Sequence, residues 1–215
     1  MIRTIPAAFL LTATLTASSK TAPLEHISLQ WRPTSFLQLG TSQMAASTVT
    51  IDPFTDDRDN KEVIGENREE HIPKPVTTTD DVGTFVSTNI RRLFDQAGVK
   101  TVDSNGEVII KGEVKKFFVR EESTYKSTVE IHLTVTDQDG KILWTGLASG
   151  EATRFGRSYQ VENYYEVLSD AVVNTVSSML QAADFRKAMS GHGNGPITWR
   201  CAVQQPCSPM VRAVS

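Results

Sequence analysis

The stretch from Tyr125 to Val135 constrains the fold most, because Tyr125, Val129, Ile131, Leu133 and Val135 alternate with Lys126, Thr128, Glu130, His132 and Thr134. Successive side chains of a strand point to opposite faces, so a period of two specifies a strand with one buried and one wet face. Asp137-Gln138-Asp139-Gly140 then supplies turn residues, including a glycine able to take positive φ, and Lys141 to Leu147 resumes as a strand. That order predicts a β-hairpin. The second strand continues through Ala148-Ser149-Gly150-Glu151-Ala152, whose small side chains let a helix or another backbone approach closely. A half-buried sheet of this kind needs a second layer over its apolar face.

Two segments have the period to form that layer. Val82, Phe85, Val86, Ile90, Leu93, Phe94 and Ala97 recur at steps of three and four, which places them on one stripe of a helix. Asp80 or Asp81 can accept the free N–H groups at its start, and Gly98 can take the left-handed geometry that ends it. A second stripe runs through Tyr164, Leu168, Ala171, Val172, Thr175, Val176, Met179, Leu180 and Ala183. Asn163 and Glu166 have capping-box spacing at its start. Earlier strands are expected at Thr48 to Asp52 and at Val108 to Val114, with the alternation slipping phase at Lys115-Lys116 before Phe117-Phe118-Val119, as a bend or a bulge would make it do. These elements predict an α+β fold: an antiparallel-rich sheet of about four strands with two amphipathic helices packed on one face.

Between Pro53 and Asp81 lies a connection dense in charge and stiffened by Pro73 and Pro75. Compact domains seldom hold a structureless loop this long, so it is either functional or partly strand, with Val63-Ile64-Gly65 the best paired segment. Asp56, Asp57, Arg58, Asp59, Ile64 and Gly65 are therefore the candidate interaction loop. The carboxylates lack the glycine and closing glutamate of a calcium loop, and Arg58 can pair with them locally. Phe117, Phe118, Trp144, Phe155, Tyr159, Tyr164 and Tyr165 gather near strand ends and the start of the last helix, where they either fill the core or line a partner groove.

The 22 basic and 25 acidic residues are mixed along the chain and leave a net charge of −3, which argues against a nucleic-acid partner. No apolar run is long enough for a spanning helix. At the N-terminus, Arg3 precedes the apolar stretch Ile5 to Ala17 and small residues follow, the order of a secretory signal peptide. The expected organisation is a signal peptide over 1–18, a flexible tether over 19–46, one α+β domain over 47–189 and a disordered tail over 190–215. Cys201 and Cys207 stand close enough to form a small disulfide loop in an oxidising compartment.

The first strand leading into Phe54-Thr55-Asp56-Asp57-Arg58, the following Val63-Ile64-Gly65, and Val108 to Val114 after an arginine-bearing helix resemble small envelope lipoproteins of the YajG type. The resemblance covers 47–189. It implies a signal peptide ending at a cysteine that is acylated and held in a membrane leaflet. Here Leu15-Thr16-Ala17-Ser18 has the shape of that lipobox with Ser18 in the cysteine's place, and a hydroxyl does not replace a thiolate as acyl acceptor. Either the chain is a secreted, unanchored relative or the cysteine is absent from this version of the sequence.

No dinucleotide fingerprint, phosphate loop, zinc-protease motif or nucleophile elbow occurs, and His26, His71, His132 and His192 lie in different elements. No cofactor or metal is expected. The sequence thus points to a non-catalytic cell-envelope interaction protein, in the periplasm or peripheral to the outer membrane, with an unidentified envelope protein as partner. The alternative is an auxiliary component of an envelope transport or assembly system, holding a lipid or glycan in an apolar cleft between helices and sheet.

Overall fold

The computed structural model describes residues 25–37, 47–156 and 159–190; the signal-peptide region, Cys201 and Cys207 lie outside them. In chain order the elements are β1 (Glu25–His26), β2 (Val49–Ile51), β3 (Thr55–Asp56), β4 (Val63–Asn67), β5 (Lys74–Thr77), α1 (Val82–Gln96), β6 (Thr101–Val102), β7 (Val108–Glu121), β8 (Thr124–Asp137), β9 (Ile142–Phe155), α2 (Val161–Gln181) and α3 (Ala183–Met189). The sheet has nine strands and is mixed, with three helices among the described residues, which corrects the expected four-stranded antiparallel sheet with two helices.

The reason lies in β7. On one edge it pairs antiparallel with β8 over almost its whole length. On its other edge β2, β3 and β4 dock in series, all parallel to it, at Val108 to Ile110, Glu113-Val114 and Val119 to Glu121. The smaller strands extend this arrangement: β6 lies beside β2, β5 beside β4 and β1 beside β5. Parallel neighbours need a crossover, and α1 supplies it between β5 and β6.

A bulge keeps β7 buried on one face through 14 residues. Val108, Ile110, Gly112 and Val114 face inward; Lys115 is the extra residue; after it Phe117, Val119 and Glu121 face inward. The phase slip at Lys115-Lys116 is this bulge. Two glycines set the layer spacing. A side chain at Gly112 would sit 2.7 Å from the Phe54 ring that lies over it, and one at Gly150 would collide with the backbone of Ala171 and Thr175 on α2. The inward positions of β9, from Gly146 through Ala148, Gly150 and Ala152, are small for this reason, and α2 lies directly on them.

α1 follows its stripe: Asp81 caps it by accepting from the Thr84 N–H at 2.9 Å, and Gly98 ends it at φ 79°. α2 differs from expectation at its start. It begins at Val161, Asn163 accepts from Arg154 Nε at 3.0 Å, and Glu166 pairs with the same arginine, so neither residue forms a capping box. Residues 25–37, expected within a tether, pack along the outside of the domain instead. Ile27 is buried, Trp31 packs edge-to-face on Phe85 with ring centroids 6.4 Å apart, the Arg32 N–H donates to Ser169 Oγ at 2.9 Å, and Thr34 and Ser35 bind the Asp170 carboxylate through their N–H and O–H groups.

Replacing Gly150 by valine should push α2 off the sheet. Unfolding by urea is expected to show a loss of about 1–3 kcal/mol, with the slope unchanged; an unaltered midpoint would mean that α2 does not depend on this close approach.

Candidate functional site

The inward face of the sheet is occupied. Between it and the helices lie Val86, Ile90, Phe94, Phe117, Val176 and Phe185, all essentially inaccessible to solvent. The opposite face of β7, β8 and β9 carries no element of the described residues. Here the outward half of the Tyr125–Val135 alternation stands in cross-strand register with its neighbours: Glu113 opposite His132, Lys116 opposite Glu130, Phe118 opposite Thr128, Arg120 opposite Lys126. Most of these charges are paired. Glu130 lies 3.7 Å from Lys116 and Glu113 lies 3.7 Å from His132, while Arg120 turns away from Lys126 to meet Glu66 at 2.9 Å. Lys126 has no carboxylate partner among the described residues.

Two shallow depressions mark this face. One, of about 230 Å³, is lined by Lys116, Phe118, Arg120, Lys126, Thr128, Glu151 and Thr153. The other, of about 330 Å³, lies where β2 gives way to β3 and is lined by Asp52, Thr55, Lys111, Glu113, His132 and Thr134. The first combines three cations, the Glu151 carboxylate and one aromatic ring, an excess of positive charge suited to an acidic group beside an apolar one.

The predicted interaction loop divides differently. Arg58 is buried and acts as a clasp: it donates to both Asp56 oxygens at 2.8 Å, to the Val63 carbonyl at 2.9 Å and to the Lys61 carbonyl at 2.5 Å, which folds the loop onto itself. Ile64 is fully buried, and a side chain at Gly65 would meet the Val119 carbonyl at 2.8 Å, so both are packing positions in β4 with no surface to offer. Asp57 and Asp59 are exposed; Asp57 pairs with Lys115 at the bulge, which holds its carboxyl below the ordinary range. Of the aromatic residues, Phe117, Trp144, Tyr164 and Tyr165 are core, whereas Phe155 is 84% exposed at the end of β9. Among the described residues there is no group of three or more His, Cys, Asp or Glu placed to hold a metal ion.

Sequence reasoning missed the most unusual polar feature, the Glu121 carboxylate at the end of β7. It is fully buried and accepts four hydrogen bonds: Tyr125 O–H at 2.6 Å and Tyr159 N–H at 2.8 Å on one oxygen, Asn67 Nδ2 at 2.9 Å and Tyr164 O–H at 2.7 Å on the other. A buried carboxylate without a cation is tolerated only when its acceptor capacity is filled, and here it is. The knot ties β4, the β7–β8 turn and the start of α2 together. It also holds Tyr159 at φ 37°, a left-handed backbone that a bulky residue adopts only when its surroundings enforce it. With every lone-pair direction filled and no exposure, Glu121 has no access to a reactant; its part is structural. Burial, followed by the neighbouring charge of Glu121, also raises the Glu25 carboxyl above its ordinary value. The one signal in the sequence was an acidic residue at an inward position of a strand followed closely by tyrosines.

No protein-family model and no curated protein sequence matches the chain. Among solved structures it is similar to protein XCC0632 from Xanthomonas campestris, of the family DUF330, with a TM-score of 0.51 at 10% identity over 77% of this chain and 95% of that one. Weaker likenesses are to lipoprotein GNA1162 from Neisseria meningitidis, with a TM-score of 0.34 at 13% identity over 61% and 99%, and to the PelC dodecamer from Paraburkholderia phytofirmans, with 0.36 at 17% over 66% and 96%. The first of these establishes a shared fold.

All four tyrosines of the chain lie at this knot or beside it, and burial is the leading cause of a raised phenol in each; Tyr125 and Tyr159 are pushed up to about 12. A phenol with a higher pKa folded than unfolded ionises first in the unfolded chain, so stability is intact below pH 10 and falls as pH rises from there toward 12. In an alkaline titration, tyrosinate absorbance should therefore appear together with loss of circular dichroism; phenols ionising near their ordinary value in a still-folded chain would contradict the knot. Glu121→Ala strands four donors and should cost roughly 3–5 kcal/mol in urea unfolding.

Proposed function

We propose that this chain is a non-catalytic interaction protein of the bacterial cell envelope, of the YajG lipoprotein type, which presents the uncovered face of β7, β8 and β9 to another envelope protein. The observation that carries the reading is the contrast between the two faces of one sheet. α1 and α2 cover the inner face, while among the described residues no element lies on the outer face of the three 14-residue strands and Lys126, beside Phe118, has no carboxylate within ion-pair distance. An acidic group next to an apolar side chain on the partner matches that depression. Export is supported by Arg3 and the apolar stretch Ile5 to Ala17, and a peripheral placement is in keeping with a chain in which no described helix is long and apolar enough to cross a membrane.

The test is photo-crosslinking in a bacterial host that makes the full chain with its own N-terminus, with the reactive side chain at Thr128 on the bare face or at the exposed Ser178 on α2. An envelope protein captured from Thr128 and not from Ser178, and lost by about tenfold on Lys126→Glu, is the expected result. Lipid or glycan adducts would favour the auxiliary-binding role instead, and a full-length chain confined to the cytosol would remove the envelope assignment.

A further inference from the structure

A second carboxylate lies beside the Glu121 knot. Glu25 of β1 is in register with Val76 of β5, and its Oε2 is shut off from solvent with no hydrogen-bond partner among the described residues. The groups that face Glu25 are Glu121 from the end of β7, the Tyr159 phenol from the stretch before α2, Glu70 from the turn between β4 and β5, and Lys74 from β5. Little of this can compensate an ionised Glu25. Glu121 and Glu70 are themselves carboxylates, the acceptor capacity of Glu121 is already filled, and the Lys74 ammonium is paired with Glu70 at 2.8 Å. On β1 itself, the His26 ring turns to the hydroxyls of Thr77 and Thr79 at 3.4 and 3.5 Å. A carboxyl group held in this way costs free energy when it is ionised and much less when it carries a proton.

Glu25 sits at the start of a strap. β1 pairs only with β5, over two residues. Beyond it the Ile27 N–H donates to the Thr77 carbonyl at 2.9 Å, the Leu29 N–H to the Asp80 carboxylate at 2.6 Å and the Arg32 N–H to Ser169 Oγ at 2.9 Å, with the Arg32 guanidinium 5.6 Å from the centre of the Tyr165 ring. A segment attached by so few backbone bonds can open without the rest of the domain. We propose that the proton on Glu25 governs the docking of residues 25–37: the strap lies closed on β5, α1 and α2 when Glu25 is neutral and loosens when Glu25 ionises, baring the outer edge of β5 and the face of Phe85 that Trp31 covers. Burial, and after it the charge of Glu121, raise the docked carboxyl above its ordinary value. Docking is therefore fully favoured below that ordinary value and is lost progressively as pH rises through the raised one.

Hydrogen exchange of the full chain, read at the amides of Ile27, Leu29 and Arg32 at about pH 5 and about pH 7.5 and corrected for the intrinsic rates, tests this. Protection of the three amides should fall several-fold at the higher pH while β8 amides keep theirs, and in Glu25→Gln, whose side chain is neutral throughout, it should stay high at both. Equal protection of the strap at the two pH values in the native chain would overturn the proposal. A pH dependence that survives Glu25→Gln would overturn it equally, because the titrating group would then be His26 or one of the carboxylates, Asp80 or Asp170, that hold the strap.

Discussion

The rest of the structure depends on β7 being paired along both edges while showing one face to the core throughout. Fourteen residues of strand cannot do this with strict alternation here, because the inward residues are even-numbered up to Val114 and odd-numbered from Phe117. The extra residue Lys115 absorbs the change, and its ammonium finds Asp57 and Glu113 outside the sheet. Without the bulge, either Val108 to Val114 or Phe117 to Glu121 would turn its apolar side chains to water, since a shift of one residue exchanges the two faces. The short strands β2, β3 and β4 then take their register from β7, having too few residues to hold one alone.

At the far end of β7 the same inward parity delivers Glu121 into the interior. Four donors from four positions converge on it, and three of them lie on β4, the stretch at Tyr159 and the first turns of α2. A saturated buried carboxylate is a directional device, since each donor is costly to leave unpaired and apolar packing alone would tolerate a rotation or slide. It fixes where α2 begins, at Val161 and without a side-chain cap. α2 in turn can lie close to the sheet only because Gly150 leaves room for it.

Much of this was legible in local pattern. The alternation of β8, the turn at Asp137 to Gly140, the bulge, the stripe and caps of α1 and the small residues of β9 are all properties of consecutive residues, and each stands in the structure where the pattern put it. What escaped has a common physical cause. β1, β3 and β6 are two residues long, too short to show a period, and their parallel pairing is decided by a partner 50 or more residues away. Residues 25–37 were read as a tether because Leu29, Trp31 and Phe36 show no regular spacing; Trp31 anchors singly on Phe85, while the polar side chains of Ser169 and Asp170 hold the backbone. The interaction loop was read from its charge, yet Arg58 spends that charge on folding the loop and Ile64 and Gly65 serve packing.

The outer face and the outer edge of the sheet call for different chemistry from whatever meets them. On the face, Lys116 with Glu130 and Arg120 with Glu66 place opposite charges across neighbouring strands, so that a nonspecific apolar surface gains little by settling there and a ligand must compete with existing pairs. At Lys126 the cross-strand neighbour Arg120 is a like charge, and with Lys116 it outnumbers the Glu151 carboxylate in the same depression, a local excess of positive charge that favours an acidic group at that end of the face. Along the edge, by contrast, the recognition elements are backbone groups, which accept any extended segment of suitable length. Selectivity there has to come from the side chains that alternate with those groups.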